Sequence, residues 1–311
     1  MATVLKAVAC DSQCIDRLLR PGFSGQVHSL FARVINFCDS NAVLYSLATA
    51  DMDNAPNTVR VLLPADFRLD AAGIVCGDWL RSGCNCLTIA EKLVVDASGA
   101  DRWQASLPRF PAAAQLDLLV ANLAVLEGVI AAKGWSGGLK EVQPADGQGF
   151  SSLVSRELAA RADSLFAALE DSDFSLALVH GRSLLGLGLG QTPSGDDFLG
   201  GLLAVLQMPG APFEENYINL AKSLVQEAAQ LTGAVSLAML QQAGQGRVRE
   251  SVTGLLEELT GGTPNEVAAA ADRVLALGST SGTDIAIGLA RGLTHGLWLK
   301  KKETQEDRHA N

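Results

Sequence analysis

The chain has 311 residues, 48% of them hydrophobic and 19% charged, which is ample material for one large domain or two ordinary ones with a buried core. Its 34 acidic and 24 basic residues give a formal charge of −10 and a pI near 4.9. That balance excludes overall attraction to nucleic acid or to an anionic membrane, since both select clustered Lys and Arg.

The opening MATVLKAVACDSQC lacks the apolar run of a signal peptide, so a cytoplasmic address is expected. Six cysteines, Cys10, Cys14, Cys38, Cys76, Cys84 and Cys86, fall in the first third without a repeated C-x-x-C pair. Free thiols are the preferred reading over a metal site. Segments such as GQVHSLFARVINF, AVLYSLAT, NTVRVLL, CLTIA and KLVVDAS are short, rich in Val, Ile, Phe and Thr, and separated by Asn, Asp, Pro and Gly. They predict a mainly antiparallel, barrel-like β domain over residues 1–107. No helical pattern alternates with them, which disfavours a doubly wound parallel sheet.

Two prolines in DRWQASLPRFP close that part, and from Ala112 the apolar spacing becomes three and four. The fold class is therefore α+β, with an α-helical domain over 108–299 and a polar, solvated tail over 300–311 that opens on the basic cluster Lys300–Lys302. The most apolar stretch, LLVANLAVLEGVIAAK, is interrupted by Asn122 and Glu127 short of a membrane span, so no membrane partner is expected. A glycine-rich loop, GWSGGLKEVQPADGQG, comes next. Helices are predicted near 151–170, 174–185, 195–207, 214–231, 233–243, 247–260, 265–277 and 283–298. Tyr217, Leu220, Leu224, Ala228 and Leu231 form an apolar stripe on one of them, suited to packing inside a bundle, and Thr263-Pro-Asn-Glu266 is a capping box with proline at the first helical position.

The stretch GLGQTPSGDD, Gly188 to Asp197, carries the most chemistry. Gly190 and Gly195 have the spacing of a nucleotide P-loop, but Asp196 and Asp197 stand where that loop needs Lys and Ser or Thr. The Rossmann fingerprint also fails, because Gly186, Gly188 and Gly190 read G-x-G-x-G. A structural account makes Ser194 the N-cap and Asp197 the third residue of its capping box, with Asp196 favoured by the helix dipole. It does not explain three glycines ahead of the cap, which are costly unless the backbone turns unusually or something approaches it. Helix-start N–H groups with the hydroxyls of Thr192 and Ser194 would suit a small anion. On this division Asp197 is a cap and Asp196 the better candidate for touching a ligand.

An echo follows: SGDDFLGGLLAVL (194–206) aligns without gaps on SGTDIAIGLARGL (281–293), identical at six of thirteen positions. Its helix start would supply a second wall of one pocket, and Gly288, Gly292 and Gly296 on one side with Gly200 and Gly201 on the other would let the two helices approach closely. The candidate set is Asp196, Asp197 and Asp284 for the chemistry, and Gly188, Gly190, Thr192, Ser194, Gly195, Ser281, Gly282 and Thr283 for binding, with no metal and no cofactor expected. Adjacent aspartates point about 100 degrees apart on a helix, so a metal-assisted lyase would need further ligands. His180 and His295 flank the motifs but read as packing or surface residues. Arg182 and Arg291 are the nearest arginines, open to a ligand or to Asp197 and Asp284.

From Gly186 to Leu199 the chain matches Gly-x-Gly-x-Gly-x-Thr-Pro-Ser-Gly-Asp-Asp-Phe-Leu and so resembles a bacterial family once described as putative carboxylases, the AllH-type subunit of oxamate carbamoyltransferase. Leu189 and Gln191 stand where the family often has Pro and Leu, a departure that touches the shape of the loop. The resemblance implies a role in nitrogen use from allantoin, in which phosphate splits oxalurate into oxamate and carbamoyl phosphate. It also implies other carbamoyltransferase subunits as partners and a small anion as substrate. The rival reading is a non-catalytic anion-binding or scaffold subunit. Ser279-Thr-Ser-Gly-Thr283 lacks the arginine of the Ser-Thr-Arg-Thr loop in aspartate and ornithine carbamoyltransferases, so no kinship with those follows.

Overall fold

The computed structural model describes residues 2–140 and 149–310. The chain forms two compact units, Met1–Ala105 and Ser106–Asn311.

The first unit is an eight-stranded barrel. Its strands are β1 (Thr3–Asp11), β2 (Ser24–Leu30), β3 (Val34–Asp39), β4 (Leu44–Thr49), β5 (Thr58–Leu62), β6 (Trp79–Gly83), β7 (Cys86–Ile89) and β8 (Leu93–Asp96). They run in the order β5-β4-β3-β2-β6-β7-β8-β1, and β1 closes the barrel on β5. A short β9 (Asp101–Trp103) adds to the far end of β1, and α1 (Ser12–Leu18) follows β1. Most pairings are antiparallel, as expected, but β4–β5, β1–β8 and β1–β9 are parallel. Closure removes the unpaired edges an open sheet would carry. The segment GQVHSLFARVINF is a hairpin rather than one strand, because the chain reverses between Leu30 and Val34 so that Val27 pairs with Phe37. Likewise CLTIA and KLVVDAS are the arms of β7–β8, joined through Ala90 and Glu91 at positive φ, the backbone of a primed hairpin turn without its usual Asn or Gly. Strand β1 escapes sequence reading because its inner end is apolar on both faces, which hides the alternation. None of the six cysteines is in a disulfide.

The second unit is helical: α2 (Leu116–Lys133), α3 (Phe150–Glu170), α4 (Phe174–Leu184), α5 (Ser194–Leu206), α6 (Glu215–Leu231), α7 (Ala234–Ala243), α8 (Glu250–Gly261), α9 (Pro264–Leu275) and α10 (Ser281–Ala310). The part of the glycine-rich loop at 141–148 lies outside the described residues. The capping box at Thr263 forms, with Pro264 opening α9 and Glu266 reaching back to the Thr263 N–H at 2.8 Å. The polar tail, exposed at 301–303, is helical and continues α10, since KKKETQEDRHA holds no Gly or Pro, is rich in strong helix formers and adds a Lys300–Glu303 pair at 2.9 Å.

Helix α2 runs unbroken through Asn122 and Glu127. By length and a mean hydropathy of 1.6, Ala113–Lys133 is the one stretch among the described residues long and apolar enough to cross a membrane. Its inner face, Leu119, Leu123, Leu126 and Ile130, packs into the core. Asn122 is fully buried and donates from Nδ2 to the carbonyls of Glu258, Leu259 and Gly262 at 3.0 to 3.2 Å, satisfying the end of α8.

All thirteen residues of α5 are buried, as an apolar-all-round helix requires, and it lies against α10 at the heart of the unit. The two helices run parallel with their starts together. A Cβ on Gly201 would overlap the Ile285 carbonyl oxygen, and one on Gly288 would overlap that of Phe198. Adding 87 to 201 and 198 gives 288 and 285, so the contact is reciprocal and the sequence echo is a local two-fold relation in space. Gly292 lies against the side chains of Leu202 and Val205 rather than a carbonyl, whereas Gly200 faces Met239 of α7.

Candidate active site at two converging helix starts

Each of the paired helices is entered by the same device. Leu187 N–H donates to the Leu184 carbonyl at the end of α4, and Gly195 N–H donates back to Leu187 at 2.8 Å. Leu277 and Val274 repeat this at the end of α9, with Gly282 N–H on Leu277 at 2.9 Å. The Gly195 and Gly282 amides, expected to face a ligand, are therefore spent on the turn. What the two starts do bring together is a layer of hydroxyls. Thr192 Oγ1 meets Ser281 Oγ at 3.0 Å, and Ser194 Oγ lies 3.5 Å from Thr280 Oγ1. Thr192, Thr280 and Ser281 are half-buried and Ser194 is buried, so the layer forms the floor of the rim loops.

Gly188, at φ +130°, packs so tightly that a side chain would overlap the Ser194 N–H. Gly190, at φ +95°, has open space around it and is exposed beside Leu189. Only the second of these faces outward where something could approach the backbone. Thr283, fully buried, accepts from Trp135 N–H at 2.9 Å and so anchors the loop after α2 rather than lining an opening.

The aspartates exchange the roles the sequence suggests. Helix α5 begins at Ser194 with Pro193 as N-cap, and no side-chain cap forms; Asp197 N–H goes to the Pro193 carbonyl at 3.1 Å. The proline ahead of Ser194 moves the helix start one residue forward and removes the capping box. Asp196 is the structural member. Its Oδ1 accepts Gly186 N–H at 2.9 Å and its Oδ2 accepts the Thr232 hydroxyl, tying the glycine loop to the end of α6. Burial still raises its pKa, against the pull of those two donors.

Asp197 and Asp284 are 1% and 0% exposed, and on each one buried oxygen, Oδ2, has no hydrogen-bond partner among the described residues. Asp284 Oδ1 accepts Leu139 N–H at 2.7 Å. Gly138 permits this approach, since a side chain there would overlap the carboxylate. Burial is the main cause that pushes Asp197 up to about 8, with the charges of Asp284 and Asp196 adding to it and the nearby Ser281 and Thr192 hydroxyls opposing. Burial likewise lifts Asp284 to about 6, opposed by Leu139 N–H and the hydroxyls of Ser194 and Thr280. On each carboxyl, the first serine of the opposite helix is among the hydroxyls that favour the charged form.

Neither arginine reaches the aspartates. Arg182 pairs with Glu227 at 3.1 Å, and Arg291 pairs with Asp163 at 2.8 Å while lying over the Phe166 ring. A hollow of about 280 Å³ beside the same loop is lined by Glu127, Lys140, Arg291 and Thr294 among others, and Lys140 Nζ there is held by the Ala131 and Gly134 carbonyls. His295 is a packing residue, 3% exposed, with Nε2 2.9 Å from Tyr217 Oη; burial lowers its pKa to about 4. Among the described residues no three His, Cys, Asp or Glu side chains gather as a metal shell. The partners that sequence reading missed are Thr232, Thr280 and the 134–140 loop. The Gly-Gly pair at 137–138 was the signal for the loop, while Thr232 sits in an unremarkable helix end.

No solved structure matches the chain. Residues 6–102 match the model of the AllH family N-terminal domain, and residues 184–293 match that of oxamate carbamoyltransferase subunit AllH. The second match starts at the end of α4 and spans both helix starts, and with the first it covers most of the chain, which therefore belongs to the AllH family of oxamate carbamoyltransferase subunits.

Proposed function

We propose that this chain supplies a ligand site to a carbamoyltransferase in which phosphate splits oxalurate into oxamate and carbamoyl phosphate, and that the site is the hydroxyl layer over the paired helix starts. The observation that carries the reading is the convergence of Thr192, Ser194, Thr280 and Ser281 at the positive ends of two parallel helices, with two incompletely bonded carboxyls beneath. Hydroxyls and helix ends suit phosphate and the carboxylate of oxalurate, and fixed dipoles need not reorganise as charge develops. A negative ligand above three aspartates is tolerable because burial favours the neutral form of Asp197 at pH 7. Aligning two anions on one floor is the main catalytic demand of such a transfer.

The other reading, a scaffold subunit whose glycine turns are purely structural, is favoured by one observation: the Gly195 and Gly282 amides are satisfied within the chain. Thr192→Val combined with Ser281→Ala separates the two. With the partner subunits present, oxalurate phosphorolysis is expected to fall at least about 10-fold while the complex still assembles, the loss of one or two charge-assisted hydrogen bonds. Unchanged turnover would sink the site, and loss of assembly alone would favour the scaffold.

A further inference from the structure

Asp197 and Asp284 share the same unmet need. Both sit in the first turn of their helix, both are at least nine-tenths buried, and both leave Oδ2 without a donor among the described residues, in a place where an unpaired carboxylate oxygen is costly. Among the described residues, the charged and titratable groups around them are few. Asp196 stands beside Asp197 on α5. On the loop over Asp284, Lys140 turns its Nζ to the Ala131 and Gly134 carbonyls, and none of the described ion pairs engages either aspartate. Two buried carboxylates whose charges act on one another, with no cation paired to either among the described residues, repel each other, and a single proton kept on one of them removes that cost.

The surroundings decide where the proton rests. Asp284 has a backbone N–H donor from Leu139, which favours a carboxylate, while among the described residues no backbone N–H donor serves Asp197. Resting on the carbamoyl-transfer reading, we propose that Asp197 and Asp284 are a one-proton acid and carboxylate pair that relays a proton through the hydroxyl layer during the transfer. The direction of the shifts agrees, Asp197 lying higher than Asp284.

The relay balances without any other reactant. An oxygen of hydrogen phosphate bonds to the carbamoyl carbon as the bond from that carbon to the oxamate nitrogen breaks. The phosphate proton passes through Ser194 or Thr280 to Asp284. Asp197 releases its proton through Ser281 or Thr192 to the departing nitrogen. Return of the proton from Asp284 to Asp197 restores the pair, so that one hydrogen moves from phosphate to oxamate overall. Because both carboxyls lie under the hydroxyls, they act through them and are positioning residues rather than groups in contact with the substrate.

The test is infrared difference spectroscopy of the purified full chain between pH 5 and 10, beside oxalurate phosphorolysis by the assembled complex. In the native chain a buried carboxylic acid C=O band is expected at pH 7 and is lost with a midpoint near 8. Asp197→Asn is expected to abolish the band, and Asp284→Asn to lower its midpoint by removing the neighbouring charge. Absence of the band at pH 7, or an unmoved midpoint in Asp284→Asn, overturns the shared proton whatever the activity. Asp197→Asn is also expected to slow turnover of the complex by about 100-fold, with the alkaline limb of the pH profile lost. An unchanged rate and profile overturn the relay, whereas a native complex that produces no carbamoyl phosphate overturns the underlying reading and leaves the spectroscopic result standing.

Discussion

Asp197 and Asp284 occupy the fourth position of two parallel helices, 87 residues apart in sequence, and each keeps one carboxyl oxygen buried without a partner among the described residues. Their equivalence is imposed by the backbone packing below them, where Gly201 and Gly288 each lie against a carbonyl of the other helix. The glycines bring the helix starts together, and closeness is what couples the two carboxyls.

That packing leaves no room for a methyl group. Gly201→Ala and Gly288→Ala are each expected to lower stability by about 1–3 kcal/mol or more, because the obstacle is a backbone carbonyl that cannot swing aside. Gly254→Ala, on a helix where a Cβ meets nothing within 4 Å, is expected to stabilise by roughly 0.5–1 kcal/mol. Denaturant midpoints of the three variants check the contrast, and equal effects at Gly201 and Gly254 would remove the close-packing argument.

The stability of the chain is expected to fall as pH rises from about 4 to about 8. Over that window folded Asp197 keeps a proton that the unfolded chain has released at its ordinary value of 3.8, so the folded state binds more protons and loses its advantage as they leave. Asp284 adds the same trend between about 4 and about 6. His295 acts oppositely: held at about 4 against an ordinary 6.5, it costs stability as pH drops through that range. Chemical denaturation across pH is expected to show a flatter slope above pH 6.5 in Asp197→Asn; an unaltered slope would contradict a raised Asp197.

Thr232→Val is expected to destabilise by about 1–3 kcal/mol, since it strips a donor from fully buried Asp196 while preserving shape. The effect is structural, so an Asp196→Asn, Thr232→Val double variant is expected to recover part of the loss. A cycle of thermal melts measures the coupling, and strictly additive losses would show that the hydroxyl does not support the carboxyl.

Asn122→Leu keeps α2 apolar but leaves the carbonyls of Glu258, Leu259 and Gly262 without their shared donor. A loss of about 2 kcal/mol is expected, with hydrogen exchange accelerated first at the end of α8. Stabilisation by the leucine would mean that burial of the apolar side chain outweighs the three contacts.

Much of the architecture was legible from residue order because it rests on local physics. Period-two segments ahead of residue 103 and period-three-to-four segments beyond it mark strands and helices, Pro264 and Glu266 mark the start of α9, and the repeated SG-x-D marks two like helix starts. The hairpin inside GQVHSLFARVINF was hidden because nothing in FAR marks a turn, and the helical state of the polar tail went unread because polarity was weighed in place of helix propensity. Of the candidate site residues, Thr192, Ser194 and Ser281 do come together, while Gly195, Gly282 and Thr283 serve the turns and the covering loop.

The sequence by itself determined the two-part α+β plan, the glycine signature of the family and the echo that places one aspartate on each of two helices. Only the tertiary structure decided which aspartate is held and which is left wanting, since Asp196 depends on Thr232 and Gly186, and Asp197 on the arrival of α10. Hydrogen bonds and desolvation are properties of what surrounds a side chain in space, and neighbours 36 or 87 residues away leave no mark on the local pattern.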